Sequence, residues 1–384
     1  DPPVDPNRFD PQGFRGGQTE QGDDVGLWTS IAIAPDGNPA VAYYDATNHA
    51  LRFTQRGPDG SWQAGEVQRV ERGDVGRYAK LAFIGGQAHI AYLFIEPGEA
   101  GAVKSGVRLA RGGGGWSFED VVVDNATPCR HYFCGPGTAC VIDTGICTQE
   151  SNDCAAACAD GEECVDIGGM PTCSAIYDTG KLDTYPDAVG LYVSLAQRPN
   201  GELAIGYYDR VHGNLMIAVQ SGGMWTSQVV DGEVNGTDTG DKGIGASLFV
   251  DKDDVFHMSY VDGLSESLNY VALPGGTAPG SVEVVDDGLS AGDGPHLVGD
   301  DSHIFVRPGG EVHISYQDAT AGSLRVAVGT PSSAMHTWTT NTMEQQGFAG
   351  FFSRQIEFDG GVKVLNFWRV ASPKAEGNVR LLTP

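Results

Sequence analysis

Apolar and polar residues alternate along this chain in short stretches, broken every few positions by glycine, proline, asparagine or aspartate, and the stretches recur. Alternation with a period of two is the mark of a half-buried strand. Four stretches share one length and one layout, a strand, a Pro/Gly/Asp turn and a second strand ending in aspartate: SIAIAPDGNPAVAYYD (Ser30 to Asp45), SLAQRPNGELAIGYYD (Ser194 to Asp209), SLFVDKDDVFHMSYVD (Ser247 to Asp262) and HIFVRPGGEVHISYQD (His303 to Asp318). Two divergent copies complete the set, KLAFIGGQAHIAYLF from Lys80, one residue shorter at its turn, and RQIEFDGGVKVLNFWR from Arg354 to Arg369. A third strand follows each copy, and in most units a fourth, often opening with tryptophan as at Trp62, Trp116 and Trp225.

Six units repeating at about fifty residues, each with antiparallel strands and tight turns, predict an all-β fold, a six-bladed β-propeller. A pair of β-sandwiches would also give many short strands. The constant fifteen-residue span from Ser30 to Asp45 and its equivalents in five of the six units favours the propeller. No fourth strand follows Leu382, so the stretch around Phe9 to Glu20 is expected to supply it and close the ring, removing exposed sheet edges. The expected division is 1–27 for the ring-closing segment, 28–124 for blades one and two, 125–183 for an insert, and 184–384 for blades three to six.

Composition agrees with many turns: 55 glycines and 20 prolines. With 50 acidic against 24 basic residues the formal charge is −26, which repels a phosphate backbone and excludes nucleic acid as a natural partner. No apolar run approaches the ~20 residues that span a bilayer. The chain begins at Asp1 with no charged-then-apolar leader, as expected of a mature or trimmed form.

All eight cysteines, Cys129, Cys134, Cys140, Cys147, Cys154, Cys158, Cys164 and Cys173, fall in the insert between the second and third units. Without a C-x-x-C pair they do not read as a zinc ribbon or haem site, and four disulfides are expected in a secreted or cell-surface protein. Their pairing stays open among 105 connectivities. The segment, with CGPGTAC and a CxxGExC-like run, resembles Cys-rich modules of secreted proteins from predatory and marine bacteria. The insert reads as a lid or a docking module over one face, the latter for a protein partner, beside the plainer reading of a stapled loop.

Because the first strand of each blade lines the central channel, the repeat alignment becomes geometry. Ser30, Lys80, Ser194, Ser247, His303 and Arg354 should ring the channel, and alternation puts Trp28, Tyr78, Tyr192, Gly245, Asp301 and Phe352 on the same side. Trp28, Tyr78, Tyr192 and Phe352, with Asp301, form a candidate ligand-binding arc, and Lys80, His303 and Arg354 are candidate catalytic residues. Asp45, Asp209, Asp262 and Asp318 end the second strands on that face. A carboxylate ring there is able to hold calcium, the one cofactor expected, although capping of the following loop explains each aspartate more simply. His89, His257 and His313 occupy one equivalent position but belong to separate blades, which fits structural histidines.

The strand pattern with tryptophan opening the outer strand resembles secreted propellers of the sialidase and propeller-lectin kind, over nearly the whole chain outside the insert. Asp boxes, Ser-x-Asp-x-Gly-x-x-Trp, are absent: Pro58-Asp59-Gly60-Ser61-Trp62 departs in spacing. Arg354 is the only arginine at the aligned wall position, so no catalytic residue is carried over. The leading expectation is a binding protein for a glycan or small ligand at the channel face. The alternatives are an extracellular hydrolase or polysaccharide lyase using the channel-lining polar residues, and a protein-docking scaffold.

Overall fold

In the computed structural model the described residues are 22–130, 133–177, 185–277, 280–289, 294–333, 335–358, 360–370 and 376–384. They form six antiparallel sheets arranged as the blades of a propeller. Blade one comprises Val25–Ile33, Pro39–Asp45, Ala50–Arg56 and Trp62–Gln68, and the next four blades begin at Asp74, Val189, Lys242 and Val298, each four-stranded in simple meander order. Blade six has three strands, Phe348–Phe358, Gly361–Val370 and Glu376–Leu382. The stretch Phe9 to Glu20, expected to supply a fourth, lies outside the described residues.

Blades are joined through their inner strands in chain order, one to two and on to six. Four joints carry a repeated hydrogen bond. The backbone N–H groups of Leu81, Leu248 and Ile304 donate to the Oγ atoms of Ser30, Ser194 and Ser247 in the preceding blade at 3.0, 2.9 and 3.2 Å, and Gln355 N–H donates to His303 Nδ1 at 3.2 Å. Farther out, Tyr92, Tyr260 and Tyr316 on second strands donate to Gln68, Asp231 and Asp286 at the ends of the preceding blades' outer strands. Each hydroxyl is thereby satisfied in an interior where an unpaired one is costly.

The joint between blades six and one differs. Ile31 is 66% exposed, whereas its equivalents Leu81, Leu248 and Ile304 are 8%, 7% and 2% exposed because they pack on the preceding blade. On blade six, Ile356, Leu365 and Leu381 are likewise open to solvent. Among the described residues no hydrogen bond or ring contact joins these two blades.

The insert consists of two disulfide-tied hairpins between blades two and three. Its pairing is Cys129–Cys140, Cys134–Cys147, Cys154–Cys164 and Cys158–Cys173, so no bridge leaves the insert. The first hairpin instead packs onto the propeller, with Cys129, Phe133 and Cys134 in one apolar cluster with Leu93, Val189 and Tyr208. Arg72, entering blade two, donates to the Cys134 carbonyl.

The tyrosine ties predict a contrast measurable by urea unfolding. Tyr260→Phe leaves Asp231 short of a donor and should lose about 1–3 kcal/mol. At the equivalent Tyr43, whose hydroxyl has no partner among the described residues, the same change should stay within about 0.5 kcal/mol.

Candidate functional site

The channel wall is shaped by a backbone device repeated in all six inner strands. Each enters through a glycine at positive φ, Gly26, Gly76, Gly190, Gly243, Gly299 and Gly350, with φ between 89° and 112°. Two residues later comes a left-handed residue: Trp28 (47°), Tyr78 (55°), Tyr192 (50°), Gly245 (66°), Asp301 (52°) and Phe352 (52°). Pairing slips at both places; in blade one Leu27 opposes Tyr44 but Ser30 opposes Ala42, so the inner strand carries one extra residue. Such a bulge re-aims side chains and sharpens twist. Simple alternation, the basis for grouping these positions, is therefore interrupted between the left-handed residue and the one two residues on.

Three of the four expected aromatics meet. The rings of Trp28 and Tyr78 lie 5.0 Å apart and those of Tyr78 and Tyr192 4.9 Å apart, with Tyr44 and Tyr208 extending the row at its ends. Tyr78 is only 5% exposed, so it supports the row, while Trp28 and Tyr192 keep part of their surface open. The Arg77 guanidinium lies 5.3 Å from the Trp28 ring and is itself paired with buried Asp74. Phe352 is 69% exposed and makes no ring contact with the row among the described residues. Its role is through the backbone: Phe352 N–H donates to Asp301 Oδ2 at 3.2 Å, and Ser353 Oγ donates to the Asp301 carbonyl at 3.1 Å.

Lys80, Asp301, His303 and Arg354 form one electrostatic cluster. Burial, helped by the Arg354 charge and opposed by Asp301, pushes the Lys80 ammonium down to about 7. Arg354 is lowered by burial, with Asp301 opposing. The Asp301 carboxyl is raised by burial, against the pull of the Phe352 N–H and the two cations. His303 is driven well down by burial and by both cations, so its imidazole is neutral. Since its Nδ1 accepts from Gln355 N–H, its proton sits on Nε2.

Neither cation makes an ion pair among the described residues. Lys104, Lys242 and Lys252 pair with Glu96, Asp262 and Asp253. Lys80 makes no ion pair or hydrogen bond among the described residues, and the hydrogen bond of Arg354 goes to the carbonyl of Ser353 at 2.7 Å. They stand where the other blades have Ser30, Ser194, Ser247 and His303, and theirs are the two joints without the repeated hydrogen bond.

The four second-strand aspartates are spread one per blade, each occupied by its own turn and by a basic group. Asp45 accepts from Asn48 N–H (2.9 Å) and Arg52 Nε (2.7 Å), and Asp209 from His212 N–H (3.1 Å) while paired with the His212 ring (2.8 Å). Asp262 accepts from Leu264 N–H (2.9 Å) and Lys242, and Asp318 from Ala321 N–H (2.8 Å) while paired with His296 (2.8 Å). Among the described residues the only groups of three or more His, Cys, Asp or Glu side chains with ligand atoms within 4.8 Å are disulfide cysteines. His89, His257 and His313 are buried, each with a local partner: Gln87 O, Tyr270 OH and Glu311.

Two contributors escape sequence reading. Asp300, on the same inner strand as Asp301, has its carboxyl raised by burial and by Asp301. Tyr185, from the leg that follows the insert, stands close enough to Tyr78 and Tyr192 for their hydroxyls to interact electrostatically. The signal for the bulge is the glycine column, together with Gly245 standing among aromatics.

No protein-family model matches the chain. No curated protein sequence matches it. Among solved structures it is similar to the leech intramolecular trans-sialidase (10% identity, TM-score 0.46, covering 96% of this chain and 69% of that one). It is also similar to the Ruminococcus gnavus intramolecular trans-sialidase (12%, 0.43, 89% and 90%) and to the Fusarium graminearum GH93 α-L-arabinofuranosidase (10%, 0.49, 93% and 93%).

Two stability measurements test the site. A left-handed phenylalanine with an exposed ring is strained, so Phe352→Gly should gain up to about 1 kcal/mol, and Phe352→Ala should gain nothing, in thermal melts. Lys80 should make stability rise with pH: between about 7 and its ordinary 10.5 the unfolded chain holds a proton that the folded chain does not. In urea unfolding at pH 7 and pH 10, Lys80→Met should therefore show a smaller rise than the wild type.

Proposed function

We propose that the protein is an extracellular carbohydrate-active enzyme, a hydrolase, taking an anionic glycan at the channel mouth. The observation that carries this reading is the pair of cations, Lys80 and Arg354, left without ion pairs in a chain of net charge −26. A carboxylate or sulfate on the glycan supplies the missing charge, and Arg354 offers it a forked set of donors. Asp301, its carboxyl raised by burial, is placed to act as the acid toward a glycosidic oxygen, and Asp300 provides a second carboxyl beside it. His303 donates from Nε2, while Trp28 and Tyr192 offer apolar faces to a sugar ring. The four disulfides support a place outside the cytoplasm.

Polysaccharide lyase is the second reading, favoured by Lys80: an amine lowered to about 7 is able to remove a proton beside a uronate carboxylate held by Arg354.

Polygalacturonate, alginate, hyaluronan, heparan sulfate, arabinan and xylan form the test panel, followed by new reducing ends and by ultraviolet absorbance of unsaturated products. Reducing ends from an anionic glycan without that absorbance support hydrolysis, and absorbance assigns the lyase reaction. Arg354→Gln should lower kcat/KM by about 100-fold or more, with Asp301→Asn similarly impaired. Equal turnover of neutral and anionic glycans would overturn the anionic reading; binding without turnover by any of them would make the protein a glycan-binding module.

A further inference from the structure

We propose that Lys80 is a carbonyl-reactive amine, at which a small 2-oxo carboxylate condenses reversibly as an imine inside the channel. This is separate from glycan cleavage and does not rest on it.

The placement argues first. Of the other described lysines, Lys104, Lys242 and Lys252 pair with a carboxylate and Lys363 donates to Thr383 Oγ1 at 2.6 Å. Lys80, on the inner strand Asp74–Ile84, makes neither an ion pair nor a hydrogen bond among the described residues, and the carboxylate that acts on it is Asp301. Nor does the fold call for a lysine there, since Ser30, Ser194 and Ser247 fill the equivalent positions and tie neighbouring blades. The joint from blade two to blade three is tied elsewhere, by Val189 N–H donating to buried Ser105 Oγ at 2.8 Å. Lys80 thus stands at a position that elsewhere ties two blades, and its half-buried amine has no ion pair or hydrogen bond among the described residues.

The surroundings supply the rest of the chemistry. Burial and the Arg354 charge favour the free amine, the form that attacks a carbonyl. Arg354, itself without an ion pair, is available for the carboxylate next to that carbonyl. In the first step the Lys80 nitrogen forms a bond to the carbonyl carbon, and a proton passes from nitrogen to the carbonyl oxygen, giving a carbinolamine. In the second step an acid protonates the hydroxyl, water leaves with the C–O electron pair, and a protonated imine remains. Asp301, its carboxyl raised by burial, is the group in the cluster that takes up a proton from solvent and passes it to the hydroxyl, returning to a carboxylate beside the new cation. Hydrolysis reverses both steps, and no oxidant or reductant is needed.

Glyoxylate is the probe, with cyanoborohydride to reduce and so fix any imine, followed by peptide mass mapping. At pH 7 Lys80 should be labelled at least about tenfold faster than exposed Lys252 in the same molecules, because far more of its amine is unprotonated. The labelling rate of Lys80 should rise through a midpoint near pH 7, while that of Lys252 keeps climbing into the alkaline range. Arg354→Gln should slow labelling by glyoxylate about tenfold and leave labelling by propanal, which has no carboxylate, within about twofold. Lys80 reacting no faster than Lys252 would overturn the proposal, and so would equal slowing of glyoxylate and propanal in Arg354→Gln. The comparison of the two lysines needs only the wild-type chain, so it stands even where a variant folds poorly. Since no glycan is present, failure here and failure of glycan cleavage are read separately.

Discussion

Everything at the channel mouth depends on one backbone constraint, the glycine and left-handed residue with which every inner strand enters the ring. In an ordinary strand residues two apart already share a face. Here each inner strand carries an extra residue around the left-handed position, which bends the strand and re-aims the side chains on either side of it. The conformation also carries a cost, since a bulky side chain at positive φ is disfavoured and persists only where the surroundings over-determine it. Five of the six blades bear a non-glycine residue there, and blade four, with Gly245, shows how the same turn is made without that strain.

The ring was legible because its strands advertise themselves through alternation and through a span from Ser30, Ser194, Ser247 or His303 to the closing aspartate that does not vary. The candidate residues were legible for the same reason: once the repeats are aligned, Lys80, His303 and Arg354 fall in one column and Trp28, Tyr78, Tyr192, Asp301 and Phe352 in another. What stayed hidden was the bulge itself. Tryptophan and tyrosine are ordinary strand residues by propensity, and nothing about them announces a left-handed backbone. Phe352 and Trp28 therefore looked equivalent, yet Trp28 packs against Tyr78 while the Phe352 ring stands in solvent. Disulfide pairing was hidden too, being set by hairpin registers such as Cys140 opposite Cys147, which bring bridge partners close without pairing those two cysteines to each other.

Electrostatics divides the molecule into two regimes. Over most of it, arginines and lysines are matched to the surplus of acids, as in the Arg108 site, where Glu96 and Asp120 share one guanidinium. At the wall the matching stops. Serine at the same position serves cohesion between blades; lysine and arginine serve the channel. One column of the repeat thus ties neighbouring blades through Ser30, Ser194, Ser247 and His303 and holds cations without ion pairs, among the described residues, at Lys80 and Arg354.

The joint between blades six and one sets one part of the ring apart. The other five joints are lined by buried apolar clusters. Here, among the described residues, Ile31 on blade one and Ile356, Leu365 and Leu381 on blade six stay exposed. These side chains sit on the two blades that carry Trp28 and Arg354, so whatever covers them to close the ring also borders the channel mouth.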